Sequence, residues 1–221
     1  MKKIGIFIGI GLCFFGNAQE KFQSLATLDV LTGSFSFNPR INAGFIQKID
    51  ERVWVGVDVG YGNAGLIGTN HRIRENYQLF EVRPEVYYDL RPSTKLKHLV
   101  SIEPFYIKHT DTFKNSWFQQ KGGNFGLPQN YKYQQADYKR IKIGANINYN
   151  LLYYFGKRFG LMQKVGIGIR NRNVQYNNIV GLEQDYSKHY STELSGSNYR
   201  IKAGNEVGIN LNLAFRFFYK F

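Results

Sequence analysis

The stretch Val207-Gly-Ile-Asn-Leu-Asn-Leu-Ala-Phe-Arg-Phe-Phe-Tyr-Lys-Phe221 decides the fold. Val207, Ile209, Leu211, Leu213, Phe215, Phe217, Tyr219 and Phe221 take alternate positions, with Gly208, Asn210, Asn212, Ala214, Arg216, Phe218 and Lys220 between them. Strand side chains alternate with period two, so one face is apolar and ends in aromatics. The other face is small, polar or basic except at Phe218. A half-buried strand of a soluble sandwich gives this alternation over about five or six residues. Here it runs for fifteen. Strands of about ten residues with one polar face are the signature of a transmembrane barrel.

The pattern recurs upstream. Ile141, Ile143, Ala145, Ile147, Tyr149, Leu151 and Tyr153 alternate with Lys142, Gly144, Asn146, Asn148, Asn150, Leu152 and Tyr154. After Gly156-Lys157-Arg158 the apolar set resumes at Leu161, Val165, Ile167 and Ile169, and Val53, Val55, Val57, Val59 and Tyr61 form an earlier set. Eight strands are expected, at 22–33, 40–49, 52–62, 77–90, 97–109, 138–155, 159–174 and 204–221. Connections after strands 2, 4 and 6 are short, whereas 63–76, 110–137 and 175–203 are long. Short periplasmic turns alternating with long extracellular loops, and an even strand number, fit an all-β, eight-stranded antiparallel up-and-down transmembrane β-barrel. Tight turns also fix registers: Phe45 opposite Val57, Ala43 opposite Val59, Tyr149 opposite Val165, Ile147 opposite Ile167. Pro84 and Pro104 interrupt strands 4 and 5, and face one another if Val86 pairs with Ile102. That weakens the local ladder and reads as a bulge or as a seam for a partner.

Composition bounds the alternatives. The chain has 221 residues, a mean hydropathy of -0.37, 16 Tyr and 18 Phe. Beyond the N-terminus no run approaches the eighteen apolar residues of a helical span. Residues 1–18 read as a signal peptide: Lys2 and Lys3, the apolar run Ile4 to Phe15, then Gly16-Asn17-Ala18 before cleavage at Gln19. Residues 19–221 then form one barrel domain. Cys13, the single cysteine, leaves with the leader, which excludes disulfides, Cys-ligated metals and Cys nucleophiles from the mature chain. Loss of Lys2 and Lys3 lowers the formal charge from +13 to +11 (27 − 16). Export turns this surplus away from nucleic acid and toward lipid phosphates.

Several charged residues fall on the inward face: Asp58, Glu81, Arg83, Glu85, Asp89, Glu103, Lys142, Lys164, Arg170, Arg172 and Arg216. An eight-stranded barrel is only wide enough for its own side chains, and single buried charges are costly. A structural ion network over Asp58, Glu81, Arg83, Glu85, Glu103, Lys164, Arg170 and Arg216 is therefore expected, with a narrow ion path as the alternative. The long connections carry Trp117, Phe118, Tyr131, Tyr133, Tyr138, Tyr176, Tyr186, Tyr190 and Tyr199, suited either to contacts or to capping the barrel. Arg72, Arg74, Lys114, Lys121, Lys188 and Arg200 fall toward the extracellular end, where lipopolysaccharide phosphates lie. His109, Thr110 and Asp111 are the one arrangement near the membrane surface with catalytic residue types, without a hydrolase signature. No metal-ligand spacing or phosphate loop occurs, so no cofactor, metal or catalytic residue is assigned.

These stretches resemble small eight-stranded outer-membrane β-barrel proteins of Gram-negative bacteria, and more narrowly the DUF3575 barrels. Residues Ile143 to Leu161, Val165 to Arg170, Arg40 to Phe45 and Val53 to Tyr61 carry the narrower likeness. Phe215, Phe217, Tyr219 and Phe221 resemble the C-terminal signal read by barrel-assembly machinery. The resemblance implies location in the cell outer membrane and supplies no catalytic residues. The expected role is structural or interactive, without a large pore; the alternatives are an accessory subunit of an envelope assembly (protein insertion, secretion or nutrient uptake) and a lipid A-modifying enzyme. Expected partners are outer-membrane lipids and lipopolysaccharide, the assembly machinery and a larger envelope complex.

Overall fold

Nine strands form from the alternating segments: β1 (Ser24–Asp29), β2 (Ile41–Lys48), β3 (Val53–Asn63), β4 (Gln78–Asp89), β5 (Leu96–Gln120), β6 (Gln129–Tyr154), β7 (Phe159–Val180), β8 (Glu183–Asp185) and β9 (Gly204–Lys220). The computed structural model describes residues 23–29, 32, 38–65, 76–91, 96–120, 128–186 and 201–221. The expected leader, 1–18, lies outside them.

From β1 to β7 each strand pairs antiparallel with the next, β7 pairs with β9, and β9 returns to β1. Eight strands thus close an up-and-down barrel. The short β8 continues β7 along β6, beyond Gly181 at φ 64°. Both short-turn registers match the sequence reading: Phe45 faces Val57, and Tyr149 faces Val165. Val86 opposes Ile102, and the β4–β5 pairing lapses between Val82–Tyr106 and Val86–Ile102, which brackets Pro84 and Pro104.

Three expected boundaries need correction. Residues 110–120 and 129–137 are strand rather than loop, as β5 and β6 stay paired out to Gln120 opposite Gln129. Likewise β7 runs to Val180 rather than ending at 174. These segments are rich in β-formers such as Thr, Tyr, Phe and Trp. Their apolar residues leave the outer face and pack around Phe118, Tyr133 and Ala136, so the belt's outward period two no longer marks them.

The barrel's polarity is inverted relative to a soluble protein. Ile147 is 62% exposed, Ile169 70% and Leu211 75%, whereas Glu103 is 0% and Lys164 1% exposed. On β7 the outward row from Phe159 to Ile169 is apolar except at Gln163, then gives way to Asn171, Asn173 and Gln175. Ten residue steps cover about 33 Å of strand, or about 25 Å of height at a tilt of roughly 40°. Tyr153, Phe155, Phe159, Phe217, Tyr219 and Phe221 collect outward at the tight-turn end, and Tyr61 and Phe80 lie toward the other.

Candidate functional site

The lumen is built in layers. At the tight-turn end Leu25, Ile46, Trp54, Tyr87, Leu99, Leu152, Met162 and Phe218 pack into an apolar plug. This explains Phe218, the one apolar residue on the polar face of the last strand: it faces inward where the lumen is closed by hydrophobic contact. Asp89 and Lys97 pair at this level at 2.9 Å, and the Lys97 ammonium lies 5.7 Å from the Trp54 ring.

Above the plug, charges from five strands meet. Arg83 reaches Glu81 and Glu103 at 2.6 Å each, Arg216 reaches Asp58 at 2.6 Å, and Arg40 reaches Glu81 at 2.8 Å. Lys164 bridges Glu103, at 2.5 Å, and Glu85. Neutral donors complete the carboxylates. Tyr87 and Ser101 donate to Glu85 at 2.7 and 2.5 Å, and Asn146 and Asn212 donate to Glu103 at 2.9 and 3.1 Å. Asp58, Glu85 and Glu103 each offer an oxygen within 4.8 Å of the others, close enough to ligate one metal ion. Their positive partners here are Arg216, Lys164 and Arg83.

Glycine makes this crossing of the lumen possible. On β7, Gly166 lies between Asn148 and Asn212, and Gly168 between Asn146 and Asn210. A Cβ at Gly166 would overlap the Asn148 side chain. Without it, Asn212 donates to Asn148 at 2.9 Å and Asn210 to Asn146 at 2.7 Å, each across the bare β7 backbone. Sequence reading found these small inward residues but not the asparagine pairs they admit.

Arg170 departs from the expected network. It faces inward between Gly144 and Gly208, and no ion pair forms to it among the described residues. Between plug and mouth, Asp29, Asp58, Glu81, Glu85 and Glu103 face Arg40, Arg83, Lys164 and Arg216. Toward the long-strand mouth, Arg140, Lys142, Arg170 and Arg172 outnumber Asp111 and Glu206. Arg172 pairs with Glu206, and Lys142 donates to Asn210 at 2.6 Å.

His109 is fully buried between Tyr77 and Tyr138, with ring centroids at 5.1 and 5.2 Å, and its Nε2 lies 3.7 Å from Asp111. Its level, beside the end of β4, is the one expected, and its ring is enclosed in the lumen. Higher still, Phe118 stacks on Tyr176 at 4.6 Å and on Tyr131 at 5.6 Å, which makes the extended β5–β7 wall a packed structure. Burial holds the Tyr133 phenol in this cluster above its ordinary pKa. A cavity of about 400 Å³ on the same extension is lined by Trp117, Lys132, Gln134, Glu183 and Asp185, among others. Tyr190, Tyr199, Arg72, Arg74, Lys121, Lys188 and Arg200 fall outside the described residues.

The outward C-terminal row is continuous with the girdle. Tyr219 packs edge-on against Phe159 at 5.0 Å and Phe221 at 5.1 Å, and Phe217 is exposed. The Phe221 amide donates to the Ser24 carbonyl at 3.0 Å, which ties the two ends of the barrel chain together.

No family model and no curated protein matches the chain. Among solved structures, the N-terminal β-barrel domain of Pseudomonas aeruginosa OprF is similar at 14% identity and a TM-score of 0.39, covering 90% of this chain and 96% of that one. A major outer membrane protein from Thermus thermophilus is similar at 10% identity and 0.44, covering 90% and 99%. Neisserial surface protein A is similar at 11% identity and 0.32, covering 90% and 96%. Likeness at this level says nothing of ligand, partner or activity. The chain is a closed eight-stranded antiparallel barrel with a polar, filled lumen and an apolar wall.

Proposed function

We propose that this is an integral barrel of a Gram-negative outer membrane, of the DUF3575 kind, with a structural or interaction role and no large pore. The carrying observation is the inverted polarity: a belt about 25 Å tall of exposed aliphatics surrounds buried charges, as lipid requires and water forbids. On this reading leader 1–18 directs export, 19–221 is the mature domain, and the tight turns face the periplasm. Phe215, Phe217, Tyr219 and Phe221 serve as the signal for assembly machinery. Lipids and lipopolysaccharide are the immediate neighbours. The lumen network of Asp58, Glu81, Arg83, Glu85, Glu103, Lys164 and Arg216 serves as a structural fill above the apolar plug. The enclosure of His109 offers no support for lipid A modification.

Single-channel recording of purified protein in a planar bilayer tests the filled lumen. The expected record has no steady large openings; steady openings of porin size overturn the reading. A second reading, accessory subunit of an envelope assembly, is favoured by Pro84 and Pro104. Both are exposed on the lipid face, and neither can donate a backbone hydrogen bond, so the ladder is weakest where a partner could press on it. Gentle extraction and pulldown should then retain a stoichiometric partner. Replacing both prolines with valine should reduce that yield several-fold, and recovery of a lone monomer from the wild type rejects this second reading.

A further inference from the structure

We propose that the long-strand mouth of the lumen holds a binding site for a small free oxyanion, with Arg170 and Lys142 as its principal ligands. Two adjacent strands carry these cations inward: Arg170 opposes Gly144, and Lys142 opposes Arg172. Arg170 is the inward guanidinium whose cross-strand neighbours are both glycines, so neither can supply a counter-charge. On the β9 side the space is open, since a Cβ at Gly208 would meet only the Arg170 Nε, at 3.9 Å. The Lys142 ammonium uses one donor on Asn210 and lies 5.3 Å from the Phe105 ring.

Six residues below Arg170 on the same strand, Lys164 is held by two carboxylates. The chain therefore can neutralise an inward cation, as Glu206 also does for Arg172 at the mouth, whereas Arg170 makes no ion pair among the described residues. Like charges gathered in a low-dielectric wall are costly unless an anion shares them. A tetrahedral oxyanion satisfies the planar fork of Arg170 with two parallel hydrogen bonds and takes the Lys142 ammonium as a point charge. Both side chains face the lumen rather than the lipid, which selects a free anion over a membrane headgroup. The site is independent of the structural role proposed above, and a detergent-solubilised barrel can be tested whichever way it sits in a membrane.

Titration of the purified full-length barrel with inorganic phosphate, in chloride-poor buffer and read by calorimetry, tests the site. The expected result is saturable binding at one site per barrel. Arg170→Gln or Lys142→Gln should weaken it about tenfold or more, the loss of one charge-assisted contact, and Arg158→Gln at the opposite end should not. Thermal unfolding supplies a second measure. Phosphate should raise the wild-type midpoint, and without phosphate Arg170→Gln should unfold no lower than wild type, because repulsion is relieved. Absence of saturable binding, or binding unchanged in both mouth variants, overturns the proposal. So does an Arg170→Gln barrel that is markedly less stable in phosphate-free buffer.

Discussion

Glu103→Gln should destabilise the barrel by about 3–5 kcal/mol, the range for breaking a buried ion pair by removing one partner. Glu103 is 0% exposed and accepts from Arg83, Lys164, Asn146 and Asn212. The amide keeps the shape but not the charge. Arg83 then retains Glu81, and Lys164 retains Glu85, while the layer above the plug passes from five carboxylates facing four cations to four facing four. Overall charge therefore stays close to balance, and the cost is local: the amide NH₂ points at a donor that a carboxylate oxygen used to accept. Equilibrium unfolding in urea, followed by the electrophoretic shift of folded barrels, measures it. A double-mutant cycle with Lys164→Met isolates the pair, and the double variant should cost less than the sum of the singles. A loss below about 1 kcal/mol would mean that water reaches the network and screens it.

Wall and lumen differ in how far the sequence reveals them. The wall is a one-dimensional property, since a strand's lipid face is written at every second residue; Val207 to Phe221 and Ile141 to Tyr153 suffice. Turn lengths then order the strands and set registers such as Phe45 with Val57. The lumen is a two-dimensional property, because its partners sit on strands far apart in sequence. Lys164 meets Glu85 and Glu103 across 79 and 61 residues. Inward charge was legible, but not which charges pair. Arg170 shows the limit: that it lies between Gly144 and Gly208, with no ion pair among the described residues, is visible only once β6, β7 and β9 are in register. The extended β5–β6 hairpin escaped for a different reason. Beyond the belt the apolar residues leave the outer face, and Phe118, Tyr133 and Ala136 are buried in a cluster of their own, so the belt's alternation does not continue.

Trp54→Ala should cost about 3–5 kcal/mol, as for large-to-small changes at fully buried aromatic sites. Trp54 is 0% exposed, within a plug to which each of the eight barrel strands contributes one residue. Neighbours from the other seven strands cannot collapse into the vacated space without shifting the closed hydrogen-bond ladder, so a cavity remains and the upper part of the range is expected. The plug also makes a functional prediction that the ion network does not. Two barriers stand in series along the lumen, and removing one leaves the other: Trp54→Ala alone should stay electrically silent in bilayers, with Lys97 and Asp89 still paired beside it. Combining it with Phe218→Ala opens the tight-turn end, yet the layer of Glu103, Lys164 and Arg83 still blocks passage. Brief small events are then the most that recordings should show, and their frequency should rise with Glu103→Gln added. Steady conductance from Trp54→Ala alone would place the whole barrier in the apolar plug and leave the charged layer as a hydrated path.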